Sequence, residues 1–67
     1  MSISEYLLSR GWNWYAEGFI DPFRDRYVDL SGKTAVWELK GYSHGTADPQ
    51  WIRFANGDSL AELKELV

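Results

Sequence analysis

The sequence predicts an α+β domain: a small antiparallel β-meander of three to five strands flanked by a short N-terminal and a C-terminal α-helix. Three observations carry this prediction. Near each end a serine is followed three residues later by a glutamate, beside leucine-rich stretches, which is the signature of a helix start. The middle is instead rich in aromatic and β-branched residues, which favour extended chain. Turn-forming residues interrupt that middle at short intervals, as hairpins require.

Ser2 and Glu5 can satisfy each other's free backbone N–H groups, so a helix starts there. Ile3, Leu7 and Leu8 form its apolar side, with Tyr6 at the edge. Gly11 is placed to end it in a left-handed conformation, which folds Trp12 back onto Leu7. Strands are expected over 12–16, 26–30, 34–40 and 50–55, with a shorter one near 19–21. "AEG" (16–18), "DPFRD" (21–25) and "SGK" (31–33) read as turns, and "GYSHGTADP" (41–49) as the longest loop. The segment 22–30 has a rival reading as a helix. Asp21 and Pro22 suit an N-cap and first helical position, with Phe23, Tyr27 and Leu30 at helical spacing. A helix over 32–40, capped by Ser31, is disfavoured by "TAVW". "ANGD" (55–58) reads as a turn. Ser59 and Glu62 then open the last helix, where Leu60, Leu63 and Leu66 or Val67 share one face.

Composition narrows the function classes. A chain of 67 residues is one domain near the lower size limit for autonomous folding. It has no cysteine and one histidine, which argues against disulfides, Cys-based zinc sites and His-rich metal clusters. Its net charge of −3 is well mixed and has little pull on a phosphate backbone. No apolar run reaches the roughly 18 residues of a membrane span, and the N-terminus lacks a secretory pattern. A cytoplasmic location is expected, with the chain reading as a complete small product.

Period-two alternation sorts the strand residues onto two faces. Trp12, Trp14, Val28, Leu30, Ala35, Trp37, Leu39, Ile52 and Phe54 make an apolar set on which both helices can pack. Asn13, Tyr15, Tyr27, Asp29, Val36, Glu38, Lys40, Trp51 and Arg53 fall on the other face. This second set mixes rings with balanced charges. One explanation is a solvated sheet face held by cross-strand pairs. The other is a contact surface, because Tyr, Trp and Arg are enriched at binding hot spots.

Catalytic and ligand motifs are weak by comparison. "SGKT" (31–34) lacks the upstream glycine of a phosphate loop, since position 27 is Tyr27. His44, near Ser43, Thr46 and Asp48, is the one side chain whose ordinary pKa suits a general base. Adjacent Ser43 and His44 are poorly disposed to face each other, so a loop role is expected. Asp21, Asp25 and Asp29 recur every four residues but do not match a calcium loop.

The expectation is therefore a non-enzymatic module without cofactor or metal. It binds a protein partner by occlusion or adaptation, as an accessory or inhibitor protein of bacterial or bacteriophage type. Tyr15, Tyr27, Trp51 and Arg53 are the expected anchors and Glu38 and Lys40 the charged rim. Tyr42 and His44, in the 41–49 loop, supply a second contact region. Two alternatives use the same face: stacking of single-stranded nucleic-acid bases, and a homodimer. The absence of a basic footprint weighs against the first.

Overall fold

A computed structural model describes residues 1–32, 35–45 and 47–67. The chain forms α1 (Ile3–Ser9), β1 (Asn13–Tyr15), β2 (Gly18–Ile20), β3 (Arg26–Asp29), β4 (Trp37–Tyr42), β5 (Trp51–Gly57) and α2 (Leu60–Leu66). The five strands make one antiparallel sheet in sequence order, so the α+β meander expected from the sequence is the fold.

Local chemistry sets the helix ends. The Ser2 hydroxyl accepts from the Glu5 N–H at 3.1 Å and the Glu5 carboxylate accepts from the Ser2 N–H at 3.0 Å. That second bond also holds the Glu5 carboxyl below its ordinary pKa. At the other end Gly11 has φ +88°. This left-handed turn lets the N–H of Gly11 donate to the Leu8 carbonyl and that of Trp12 to the Leu7 carbonyl. Trp12 is thereby folded into the core beside Leu7, as its position after the glycine predicts. At α2, the Ser59 hydroxyl accepts from the Glu62 N–H at 3.3 Å.

One face of the sheet carries the main core. Phe19, Val28, Trp37 and Leu39 are fully buried there with Leu7 of α1 and Leu63 of α2. The Trp37 indole N–H donates to the Ser59 carbonyl at 2.9 Å, tying β4 to the start of α2. Gly57 lies directly under that indole. A Cβ there would come within 2.5 Å of both the Trp37 ring and the Glu62 carboxylate.

Several expectations are corrected. The rival helix over 22–30 does not form. Asp21 Oδ1 accepts instead from the N–H groups of Asp25 and Arg26, at 2.8 and 3.1 Å, and Arg24 takes φ +61°. The aspartate thus closes a hairpin rather than capping a helix, and β3 follows. The disfavoured helix over 32–40 does not form among the described residues, and the strand expected over 34–40 begins at Trp37. Lys33 and Thr34, on which the "SGK" turn and the start of the 34–40 strand rest, lie outside the described residues. Asn56 and Gly57 are not a turn but the end of β5, paired with Glu38 and Trp37. Gly41 and Tyr42 likewise extend β4 rather than open the loop.

Trp14, Ile52 and Phe54, assigned by alternation to the core, lie on the helix side but are 67%, 51% and 57% exposed. Leu8 and Leu66 are exposed as well. Each helix has 7 residues and is therefore only about 10 Å long. Two such helices cover the middle of a five-stranded sheet and leave its margins bare. Phe54 is additionally the unmatched residue of a bulge, since Leu39 pairs with Ala55 and Lys40 with Arg53.

Candidate functional site

The opposite face holds a second aromatic cluster. The register aligns Asn13, Ile20, Tyr27, Lys40 and Arg53 in one row and Tyr15, Gly18, Asp29, Glu38 and Asn56 in the next. Beyond them Tyr42 pairs with Trp51. Because cross-strand partners share a face, Tyr15, Tyr27, Glu38, Lys40, Tyr42, Trp51 and Arg53 all project from this side.

The rings touch in a chain. Tyr15 meets Tyr27 edge-on at 5.4 Å between centroids and Trp51 at 6.3 Å. Trp51 lies 5.6 Å from Tyr27 and 5.1 Å from Tyr42, whose ring in turn meets His44 at 5.0 Å. Strands spaced about 4.8 Å apart would put β1 and β5 of a flat sheet roughly 19 Å apart. The contact between Tyr15 and Trp51 therefore requires the sheet to coil toward this face, with both rings leaning inward. Gly18 leaves the row between Tyr15 and Asp29 without a side chain over β2, and a Cβ there would run into the backbone of Val28 and Asp29.

The cluster has a floor and a top. Tyr27 is 5% exposed and Ile20 4%, so these two are buried under the others. Burial pushes the Tyr27 phenol above its ordinary pKa, and its hydroxyl accepts from the Glu17 N–H at 2.9 Å. Tyr15 and Tyr42 stay about one-third exposed, and Trp51 is half-buried. Tyr27, expected as an anchor, supports the face from beneath and is not itself offered to solvent.

Charge on this face is neutralised internally. Asp29 and Glu38 stand directly opposite each other, an unfavourable like-charge pair. Diagonal cations resolve it: Lys40 Nζ bonds Asp29 Oδ2 at 2.8 Å, and Arg53 Nη1 bonds Glu38 Oε2 at 3.1 Å. Asp29 Oδ1 also accepts from the Ser31 N–H at 2.9 Å and hydroxyl at 2.6 Å. Burial alone would raise the Asp29 carboxyl, but the Lys40 and Ser31 bonds outweigh it and hold the group below its ordinary value. The Asp29 bond correspondingly raises Lys40. Lys40 also lies 5.8 Å from the Tyr27 ring centre, a cation–π arrangement.

His44 is drawn to the edge of the cluster by Asp25, whose Oδ1 is 2.9 Å from its Nε2. The loop carrying it is closed by Ser43, whose hydroxyl donates to the Gln50 carbonyl and accepts from the Gln50 N–H. Thr46 lies outside the described residues. The structure thus brings together all eight residues expected at the site, five of them in the two register rows, with the Tyr42–Trp51 pair beyond the rows and His44 at the margin. Sequence reasoning passed over Ile20, Asp25 and Asp29 as site residues. Alternation had already placed Asp29 on this face, whereas the Asp25 contact joins distant turns and leaves no periodic signal.

A separate concavity of about 420 Å³ lies on the far side, lined by Arg10, Trp12, Asp21, Phe23, Arg26 and Val67 among others. Two arginines, Arg10 and Arg26, and two aspartates, Asp21 and Asp25, line it together, a balance that favours no one ligand charge. None of the residues expected at the site lines it.

No protein-family model, no curated protein and no solved structure matches this chain.

Proposed function

We propose that this protein is a non-catalytic module that binds a protein partner through the coiled face bearing Tyr15, Tyr42 and Trp51. The observation that carries the reading is the pairing of partly exposed rings with charges already satisfied among themselves. Rings supported from beneath by Tyr27 and Ile20 are pre-organised, so little side-chain entropy is lost on contact. Large, rigid, amphipathic side chains at the centre of a patch are what dominate protein interfaces. Lys40 and Arg53 are each occupied by a carboxylate, which weighs against stacking of nucleic-acid bases, where phosphate neutralisation supplies most of the affinity. Action by occlusion or adaptation, as an accessory or inhibitor protein, suits a face built of supported rings and paired charges.

Among the described residues no helix is long and apolar enough to cross a membrane. A chain without cysteine suits a reducing compartment, and we place its action in the cytoplasm.

The test compares capture of host proteins by the wild-type chain and by Trp51→Ala and Tyr15→Ala variants, with Ile52→Ala on the helix side as control. Loss of one defined partner in the first two variants, with retention in the third, supports the reading. Equal capture by all four, or loss confined to Ile52→Ala, overturns it.

A further inference from the structure

We infer that β5 is a pairing edge for a second copy of this chain. Two β5 strands meet antiparallel about a two-fold axis at Ile52, and the two sheets join edge to edge. The inference goes beyond the reading of the ring face and does not depend on what that face binds.

Backbone direction points to this edge. The Tyr42 N–H donates to the Asp25 carbonyl, and the Ser43 N–H donates to the Gln50 carbonyl. Backbone groups alternate in direction along a strand, so Tyr42 and Lys40 turn toward β3 while Ser43 and Gly41 turn toward β5. Gly41 faces Ile52, whose N–H and C=O are thus used inside the sheet. Trp51 and Arg53 turn theirs outward, and β5 is the last strand. Among the described residues those groups have no backbone partner beyond the sheet. Such an edge is a template for another strand unless charge, proline or shortness blunts it. The other edge, β1, is blunted by its length of 3 residues. β5 runs for 7, holds no proline or lysine, and its one charge, Arg53, is drawn onto the ring side by Glu38. On the helix side Ile52 and Phe54 are exposed, at a margin that the short helices leave bare.

The sequence of β5 matches its own copy in one register. With the axis at Ile52, Trp51 pairs with Arg53 of the second copy, and Arg53 with Trp51 of the second copy. Both residues carry outward groups, so each pair exchanges both of its N–H···O=C bonds. On the ring side each guanidinium meets an indole, a cation–π pairing. On the helix side Ile52 lies opposite Ile52 of the second copy, with Phe54 of that copy diagonal to it, so the bare apolar margins cover one another. Neighbouring registers fail. An axis at Arg53 sets two guanidinium side chains opposite each other. In that register the Phe54 bulge also brings helix-side Ala55 against ring-side Trp51. An axis at Trp51 needs an N–H from Pro49 opposite Arg53, and proline has none. The surviving match is isologous, as a two-fold dimer requires. Pairing in the plane of the sheets leaves the ring face open in both copies. The contact involves few residues per chain, which puts it among the weak associations that need concentrated protein.

The test is sedimentation equilibrium of the full chain from micromolar to millimolar concentration, with amide hydrogen exchange measured at both ends of the range. The mass should rise from monomer toward dimer. Exchange at the Trp51 and Arg53 amides should slow by about 10-fold once roughly nine-tenths of the chain is paired, while Ile52 stays slow throughout. Ile52→Lys sets two ammonium groups against each other on the axis and should abolish both changes. Arg53→Pro should do the same, because it removes an outward N–H and leaves the bonds to β4 intact. Arg53→Ala loses the same Glu38 bridge but keeps that N–H, and should weaken dimerisation only a few-fold. The indole signal of buried Trp37 reports that each variant is folded. A chain that stays monomeric at millimolar concentration overturns the inference. So does a dimer whose Trp51 and Arg53 amides still exchange freely, or one that Ile52→Lys and Arg53→Pro leave intact, since it forms through another surface. An equal loss in Arg53→Ala and Arg53→Pro would assign the contact to the side chain and overturn the backbone pairing. If Tyr15→Ala abolishes dimerisation instead, the ring face is the dimer interface, and the reading of that face as open to a partner falls too.

Discussion

Replacing Trp37 or Trp51 by alanine removes the same side chain from two neighbouring strands, yet the consequences should differ sharply. Trp37 is fully buried and its indole donates to the Ser59 carbonyl. Truncating a buried aromatic costs about 3–5 kcal/mol. The lost hydrogen bond at the start of α2 adds about 1 kcal/mol. A domain of this length has roughly 3–10 kcal/mol in all, at ~0.05–0.15 kcal/mol per residue. Trp37→Ala should therefore remove about 4–6 kcal/mol, half or more of the stability available to a domain of this length. Trp51 instead sits half-buried on the other face of the sheet, held by ring contacts with Tyr15, Tyr27 and Tyr42. Such contacts contribute about 0.5–1.5 kcal/mol each, not additively, and no closed cavity is left behind. A loss of about 1–2 kcal/mol follows, or roughly 5–15 °C in melting temperature for a domain of this size. Urea unfolding followed by far-ultraviolet circular dichroism measures both variants without relying on tryptophan emission. If Trp51→Ala destabilises the chain as much as Trp37→Ala, Trp51 is a core residue and the face loses its central anchor.

Stability should fall at both ends of the pH scale. Asp29 is held below its ordinary pKa, so its contribution is complete above the unfolded value of about 3.9 and is lost as pH drops through the folded value. Lys40 and Tyr27 are both raised, so their contributions are complete below unfolded values of about 10 and vanish as pH climbs through the folded ones. Urea melts across pH should show the acid-side loss reduced in Asp29→Asn. An unchanged acid limb would mean that the Asp29–Lys40 bridge does not persist in solution. Gly57→Ala should destabilise by about 1–3 kcal/mol, because the added methyl meets the Trp37 ring at 2.5 Å. A neutral or stabilising result in thermal melts would show that Trp37 can shift freely. Either outcome is readable from one variant.

Alternation made the two faces legible because strands fix side-chain direction without reference to what lies above them. Val28, Trp37 and Leu39 on one side, and Tyr15, Tyr27, Lys40 and Arg53 on the other, could be sorted from sequence alone. Capping chemistry was equally readable, since Ser2 with Glu5 at one end of α1 and Gly11 at the other each act on the nearest turn. What stayed hidden depends on distance or size. The exposure of Trp14, Ile52 and Phe54 follows from the shortness of the helices, which alternation does not register. Asn56–Gly57 has turn composition, but the glycine is needed for the close approach of the Trp37 ring rather than for a positive φ. The Tyr15–Trp51 contact joins the first and last strands and exists only because the sheet coils. His44 meets Asp25 across 19 residues, which no local pattern encodes.

A docking face here requires the Tyr15, Tyr42 and Trp51 rings to meet solvent in the free chain. Photochemically induced nuclear polarisation reports ring accessibility residue by residue. It should give strong signals from these three rings and little from Tyr27, Trp12 or Trp37, unchanged from micromolar to millimolar protein. Silence from Tyr15, Tyr42 and Trp51, or polarisation that fades as concentration rises, would mean that the face is covered by its own chain or by a second copy.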